Sequence, residues 1–170
     1  RRQRQMCIRD RRLFAHLFVT AIIGILRYTT KGGLMSDAII ADDLAVLTQW
    51  DTPTICNALE EIVPERRGHG FTTQHLFALD ASLPPVCGFV RTATIRAAEP
   101  PRETAAEMVA KRTAYYEYVA AGPMPTIAVI QDLDPVPGIG AFWGEVQTTV
   151  HKSLGAVGAV TNGSFRDVPD

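Results

Sequence analysis

Arg166 and Asp167 stand side by side just past the apolar run AVGAV, separated from it by the turn-forming pair Asn162 and Gly163. An adjacent cation and anion at the exit of a strand have two ordinary uses. They can pair with each other, which at a surface contributes about 0–1 kcal/mol and no chemistry. Alternatively, the arginine grips a carboxylate through a two-pronged contact while the aspartate holds a divalent cation beside it. Upstream, IQDLDPVPGIGAFWGE follows one strand and opens a helix. A helix start near Gly144 to Gln147 turns unpaired N–H groups and the positive end of the helix dipole toward an anion such as a carboxylate. Gly144 itself has two readings, close approach of a ligand to the backbone or tight helix packing.

Other chemistries are less well served. The glycines at 138, 140 and 144 do not make a dinucleotide fingerprint, because Trp143 stands where that motif needs glycine, and no Gly-Lys-Ser/Thr follows. No HxH, HExxH or Cys/His cluster offers a zinc site. The four histidines are scattered; His69 lies in a glycine-rich loop, and His151 sits on a helix as a solvated or packing residue. Ser164 has no GxSxG context. Asp132, Asp134, Glu145 and Asp167 follow strand ends or open a helix, and one or two such carboxylates with retained water suit Mg²⁺ or Mn²⁺.

The elements that must position these groups alternate along the chain. ADDLAVLTQW reads as a short helix with Asp42 or Asp43 near its start. In DTPTICNALEEI, Thr52 before Pro53 is the expected N-cap, and Pro64 limits the far end. CGFVRTATIRA alternates β-branched residues as a strand does. Thr104 and Glu107 fit a capping box opening a long helix that Gly122–Pro123 ends, with Tyr115, Tyr116 and Tyr118 as packing residues. PTIAVIQDLD is a short strand expected to be covered on both faces. In AFWGEVQTTVHKSLG, Phe142, Val146, Val150 and Leu154 form an expected buried stripe, and AVGAV is the last strand.

A chain of 170 residues, 46% hydrophobic and 21% charged, is an ordinary globular composition. It can bury roughly 70% of its unfolded surface without disulfides. A net charge of −1 gives no field that would draw nucleic acid or an anionic membrane. Three cysteines, far apart and in no CxxC spacing, suit a reducing, cytoplasmic setting. Residues 1–34 differ from the rest: a basic, amide-rich start precedes the apolar run LFAHLFVTAIIGIL, which is shorter than the ~20 residues that span a bilayer. They read as a non-native or targeting extension that packs on nothing, with the domain proper in residues 35–170.

GAFWGEVQTTVHKSLGAVGAVTNGSFRD resembles the signature region of the RraA-like family: a helix opening with Gly-Glu, a G-x-x-G-x-V strand and a (D/N)-G-x-x-R-D turn. DTPTICNAL resembles that family's N-terminal helix. The family comprises class II 4-hydroxy-4-methyl-2-oxoglutarate aldolases, which are also oxaloacetate decarboxylases, and regulators of ribonuclease E activity. The resemblance implies an α/β domain of the swivelling β/β/α sandwich type, incomplete at its C-terminus, since family members continue past this motif. It implies that Arg166 binds the pyruvyl carboxylate of a small 2-keto acid and Asp167 holds Mg²⁺ or Mn²⁺. Gly144, Glu145, Val146 and Gln147 would line the substrate pocket through their backbone. It further implies a homotrimer or dimer of trimers. The alternative is a non-catalytic ribonuclease inhibitor, but regulators of that branch often lack the aspartate after the arginine. Asn162 replaces an aspartate common at its position, a change expected to retune the turn more than the chemistry.

Overall fold

The structure, a computed structural model, describes residues 5–7, 39–68, 72 and 75–168. His69, Met35 and the apolar run from Leu13 to Leu26 lie outside the described residues. The chain divides into two compact units, residues 12–87 and residues 1–11 with 88–170.

The first unit contains helices α1 (Ala41–Leu47) and α2 (Thr52–Ile62), then a single 3₁₀ turn at Pro64–Arg66. Asp43 accepts a hydrogen bond from the Ile40 N–H at 3.0 Å, which closes the start of α1. The N-cap of α2 is Asp51, whose carboxylate accepts from the Thr54 N–H at 2.9 Å. This corrects the assignment of Thr52. Aspartate and threonine both cap well, and the helix begins one residue earlier, so that Pro53 takes the second helical position, where its missing N–H still costs nothing.

The second unit is built on a four-stranded sheet in the order β1-β2-β3-β4. Its strands are β1 (Gln5–Cys7), β2 (Phe89–Arg96), β3 (Thr126–Asp132) and β4 (Ala156–Thr161). The last three are parallel, with Ala93 opposite Ile130 and Ile130 opposite Thr161. Parallel neighbours need long crossovers. They are supplied by α3 (Ala105–Ala120) between β2 and β3, and by α4 (Glu145–Ser153) between β3 and β4. β1 pairs antiparallel with β2, Met6 opposite Ile95. The expectation that nothing before Met35 packs on the domain therefore fails for these three residues.

Period-two burial decides which face of the sheet carries the core. Thr126, Ala128, Ile130 and Asp132 of β3 are buried, whereas Ile127, Val129 and Gln131 between them are half-buried. Full cover thus reaches one face and not both. On that face Ala93, Ile95, Ala128 and Ile130 pack with Tyr115 and Val119 of α3 and with Phe142 and Trp143 ahead of α4. Full burial of each larger apolar side chain contributes about 1.5–3 kcal/mol.

Both crossover helices are set by local chemistry. Thr104 Oγ1 accepts from the Glu107 N–H at 3.3 Å, while the Glu107 carboxylate accepts from the Thr104 N–H at 2.7 Å, the reciprocal box expected from the sequence. The C-terminus of α3 is met by Arg91, a buried residue of β2 whose guanidinium donates to the Ala121 and Pro123 carbonyls. A cation there complements the negative end of the helix. The expected stripe on α4 is broken: Val146 is 67% exposed, and the buried residue of this helix is His151. The helix starts three residues later than the apolar pattern suggests, so Phe142 belongs to the preceding loop and the phase shifts toward His151.

Candidate functional site

The ends of β3 and β4 send out the two segments that matter. After β3, residues 133–144 run back to the start of α4, and after β4 the chain turns through Asn162–Gly163 into Arg166 and Asp167. These segments meet. Trp143 and Phe165 form a parallel bridge, and the Arg166 N–H donates to the Trp143 carbonyl at 3.1 Å. The helix-start residues and the Arg–Asp pair, far apart in sequence, are therefore one locus.

Gly144 is the point of contact. It is buried and serves as the N-cap of α4 in extended backbone, φ 179°. A Cβ placed on it would lie 2.7 Å from Asp167 Oδ2, 3.1 Å from Arg166 Cγ and 3.2 Å from Arg166 Nε. The space beside Gly144 is thus taken by the side chains of Arg166 and Asp167, a close approach that neither of its two readings named. Because glycine brings no capping side chain, no side-chain hydrogen bond closes this helix start. By helix geometry the N–H groups of Glu145, Val146 and Gln147 have no intrahelical acceptor. Glu145 and Val146 are exposed, and Gln147 is half-buried, its side chain accepting from the Tyr116 hydroxyl at 3.1 Å.

Arg166 Nε and Asp167 Oδ2 stand 3.4 Å apart, with side chains 66% and 40% exposed. So open a pair contributes little to stability. Asp167 has φ 61°, a left-handed conformation that aspartate tolerates better than most residues but still at a cost.

His151 is buried on α4 and packs against Trp143, the residue before Gly144. Its Nδ1 bonds to the Gln147 carbonyl at 2.7 Å and its Nε2 to the Tyr115 hydroxyl at 2.7 Å. A carbonyl can only accept, so Nδ1 carries the proton and Nε2 accepts from the tyrosine. Burial lowers the pKa of His151 and raises that of Tyr115. With both nitrogens engaged and Trp143 packed on its ring at 4.6 Å, His151 is a packing histidine. It fixes the first turn of α4.

Asp132 and Asp134 are buried and do not join Asp167. Asp132 accepts the N–H groups of Asp134 and Gly138, and Asp134 those of Ala97 and Ala98. Among the described residues, no group of three or more His, Cys, Asp or Glu side chains is placed to hold a metal. A water-rich cation needs only one or two protein carboxylates. Asp167 offers one hard, partly exposed oxygen ligand, a donor compatible with a water-rich Mg²⁺ or Mn²⁺, whereas one ligand is too few for a structural zinc.

Two features were not visible beforehand: the Trp143–Phe165 bridge and the double hydrogen bond from the Asn162 side chain to the Asp132 backbone. The only sequence signal for either was an asparagine directly after a strand, where side-chain amides commonly bind backbone.

Parallel strands joined by helices, with a helix start that has no side-chain cap and an Arg–Asp pair beyond their C-terminal ends, define a small α/β domain. A model of the RraA-like family (Aldolase/RraA) matches residues 52–170, and the chain belongs to that family. The family includes aldolases and decarboxylases as well as ribonuclease E regulators. No curated protein and no solved structure gives a significant match. Among the described residues, no helix is long and apolar enough to cross a membrane.

Proposed function

We propose that this protein is a divalent-metal-dependent lyase that cleaves 4-hydroxy-2-oxo dicarboxylic acids of the 4-hydroxy-4-methyl-2-oxoglutarate type to pyruvate and a second keto acid. Oxaloacetate decarboxylation is the companion activity. The observation that carries this reading is the meeting of Arg166 and Asp167 with Gly144 at the start of α4.

A 2-keto acid presents a carboxylate and a keto oxygen on adjacent carbons, and the adjacent Arg and Asp match that spacing. Arg166 binds the carboxylate through charge-assisted hydrogen bonds. The N–H groups of Glu145, Val146 and Gln147 add donors that need no reorganisation during reaction. Asp167 would hold Mg²⁺, which when bound supplies Lewis-acid polarisation of the keto oxygen. In the aldol substrate the C3–C4 bond breaks, its electron pair stays with the pyruvyl fragment, and the C4 hydroxyl loses its proton as C4 becomes a carbonyl. In oxaloacetate the same bond breaks and carbon dioxide leaves. Protonation at C3 then gives pyruvate in both cases. His151 takes no part, since both its nitrogens are committed.

The domain is read as the family's swivelling β/β/α sandwich, assembled as a homotrimer or dimer of trimers in the cytoplasm. Asp167 weighs against the ribonuclease-regulator alternative, whose members often lack it. The test is pyruvate release from both substrates with Mg²⁺ and with a chelator, in the wild type and in Asp167→Asn. Metal-dependent release that the variant abolishes is expected. Full, chelator-sensitive activity in Asp167→Asn would place the metal elsewhere.

A further inference from the structure

Asp132 is 3% exposed, and both of its carboxylate oxygens are occupied by backbone of the loop after β3. Oδ1 accepts from the Asp134 N–H at 2.9 Å and Oδ2 from the Gly138 N–H at 2.8 Å. The main chain of the same residue is bound from the other side. Its N–H donates to Asn162 Oδ1 at 2.7 Å, and its carbonyl accepts from Asn162 Nδ2 at 3.1 Å. The β3–β4 ladder ends at Ile130 opposite Thr161, so the Asn162 amide adds one further rung made by a side chain.

These bonds close a circuit. From Asp132 the tethered loop leads to Trp143 and Gly144, from Trp143 the bridge and the Arg166 N–H lead to the opposite segment, and Asn162 returns that segment to Asp132. One buried residue thereby holds both segments that form the site.

We infer that Asp132 and Asn162 are positioning residues that set Arg166 and Asp167 against the start of α4. The inference rests on the reading of that pair as the substrate-handling groups. The rung uses both ends of the Asn162 amide, its oxygen accepting and its nitrogen donating, so a side chain without those groups removes both bonds at once.

The test compares wild type with Asp132→Asn and Asn162→Ala in the full chain. Thr104→Ala, which loosens the α3 cap outside the circuit, is the control for stability loss alone. Amide hydrogen exchange is followed at Gly138, Arg166 and the core residue Val119, alongside kcat and KM for pyruvate release. Exchange at Gly138 and Arg166 is expected to quicken by about tenfold or more in Asp132→Asn, and Arg166 to respond likewise in Asn162→Ala, with Val119 unchanged. In both variants kcat is expected to fall by about tenfold or more, and in Thr104→Ala it should hold. If Asp132→Asn does not fold, Asn162→Ala, which leaves the loop tethers in place, supplies the Arg166 readout. Wild-type protection at Arg166 in the folded circuit variants would overturn the inference. A wild type that releases no pyruvate would overturn the functional reading alone, because exchange at Arg166 is measured without substrate.

Discussion

Gly144→Ala separates the site from the fold. The new Cβ would sit 2.7 Å from Asp167 Oδ2 and just over 3 Å from Arg166 Cγ and Nε, at 3.1 and 3.2 Å. The backbone need not object, since φ at this residue is extended and open to alanine. The conflict must therefore be relieved by the two side chains, and both can swing outward because they are 66% and 40% exposed. The stability cost is the lost open ion pair, roughly 0–1 kcal/mol, plus off-rotamer strain of about 0.5–1.5 kcal/mol if a side chain stays. A total near 1 kcal/mol is expected. The catalytic cost is larger, because displacing reacting groups by about 1 Å lowers rates by roughly 10²-fold. Urea unfolding and steady-state pyruvate release on the same preparation check both numbers. Wild-type kcat/KM in this variant would refute the argument that the pair works from its position against Gly144. A loss above about 4 kcal/mol would instead make the contact a structural one.

Arg166→Ala should lower affinity and kcat together, by ~10²-fold or more, since each lost charge-assisted hydrogen bond is worth about 1.5–3 kcal/mol. Lysine at 166 should restore only part, because an ammonium lacks the planar fork, and neither change should move the urea midpoint much. Stability should also fall on acidification. The pKa of folded His151 lies below its ordinary 6.5 because the ring is buried, so the contribution is whole above pH 6.5 and is lost as pH falls toward and through the folded value. Urea titrations from pH 7.5 to 5 should show stability falling as pH drops below 6.5, with a slope no steeper than about 1.4 kcal/mol per pH unit and reduced in His151→Gln; an equal slope in that variant would place the proton uptake on another group.

Much of the scaffold could be read from local chemistry. The Thr104–Glu107 box, the alternation in β2 and the proline near the start of α2 all act within a few residues, and the structure places each element where those signals fall. Signals were less secure where tertiary packing chose between near-equal options. Val146 is as apolar as Val150, yet the helix start at Glu145 leaves Val146 exposed and makes His151 the buried residue of α4. Nothing local predicts that, because the burial of His151 depends on Tyr115, 36 residues away. The same holds for the site. Arg166, Asp167 and Gly144 were each legible as candidates, whereas their meeting depends on the Trp143–Phe165 bridge, which has no local signature.

How two adjacent residues serve one locus is answered by the backbone of Asp167. In an extended chain successive side chains point to opposite sides, so Arg166 and Asp167 would ordinarily diverge. The left-handed φ of 61° at Asp167 interrupts that alternation, and the two side chains come within 3.4 Å of each other beside Gly144. That conformation reverses the usual order of substitutions. Alanine at 167 retains the full left-handed penalty of about 1–2 kcal/mol, whereas asparagine carries less of it. Glycine escapes the penalty, although its freer unfolded chain returns roughly 0.4–1 kcal/mol. Asp167→Gly and Asp167→Asn should therefore unfold near the wild-type urea midpoint, and Asp167→Ala about 1 kcal/mol earlier. All three should fail to release pyruvate. Were alanine as stable as glycine at this position, the left-handed turn would not be what aims the pair, and the common direction of Arg166 and Asp167 would need another cause.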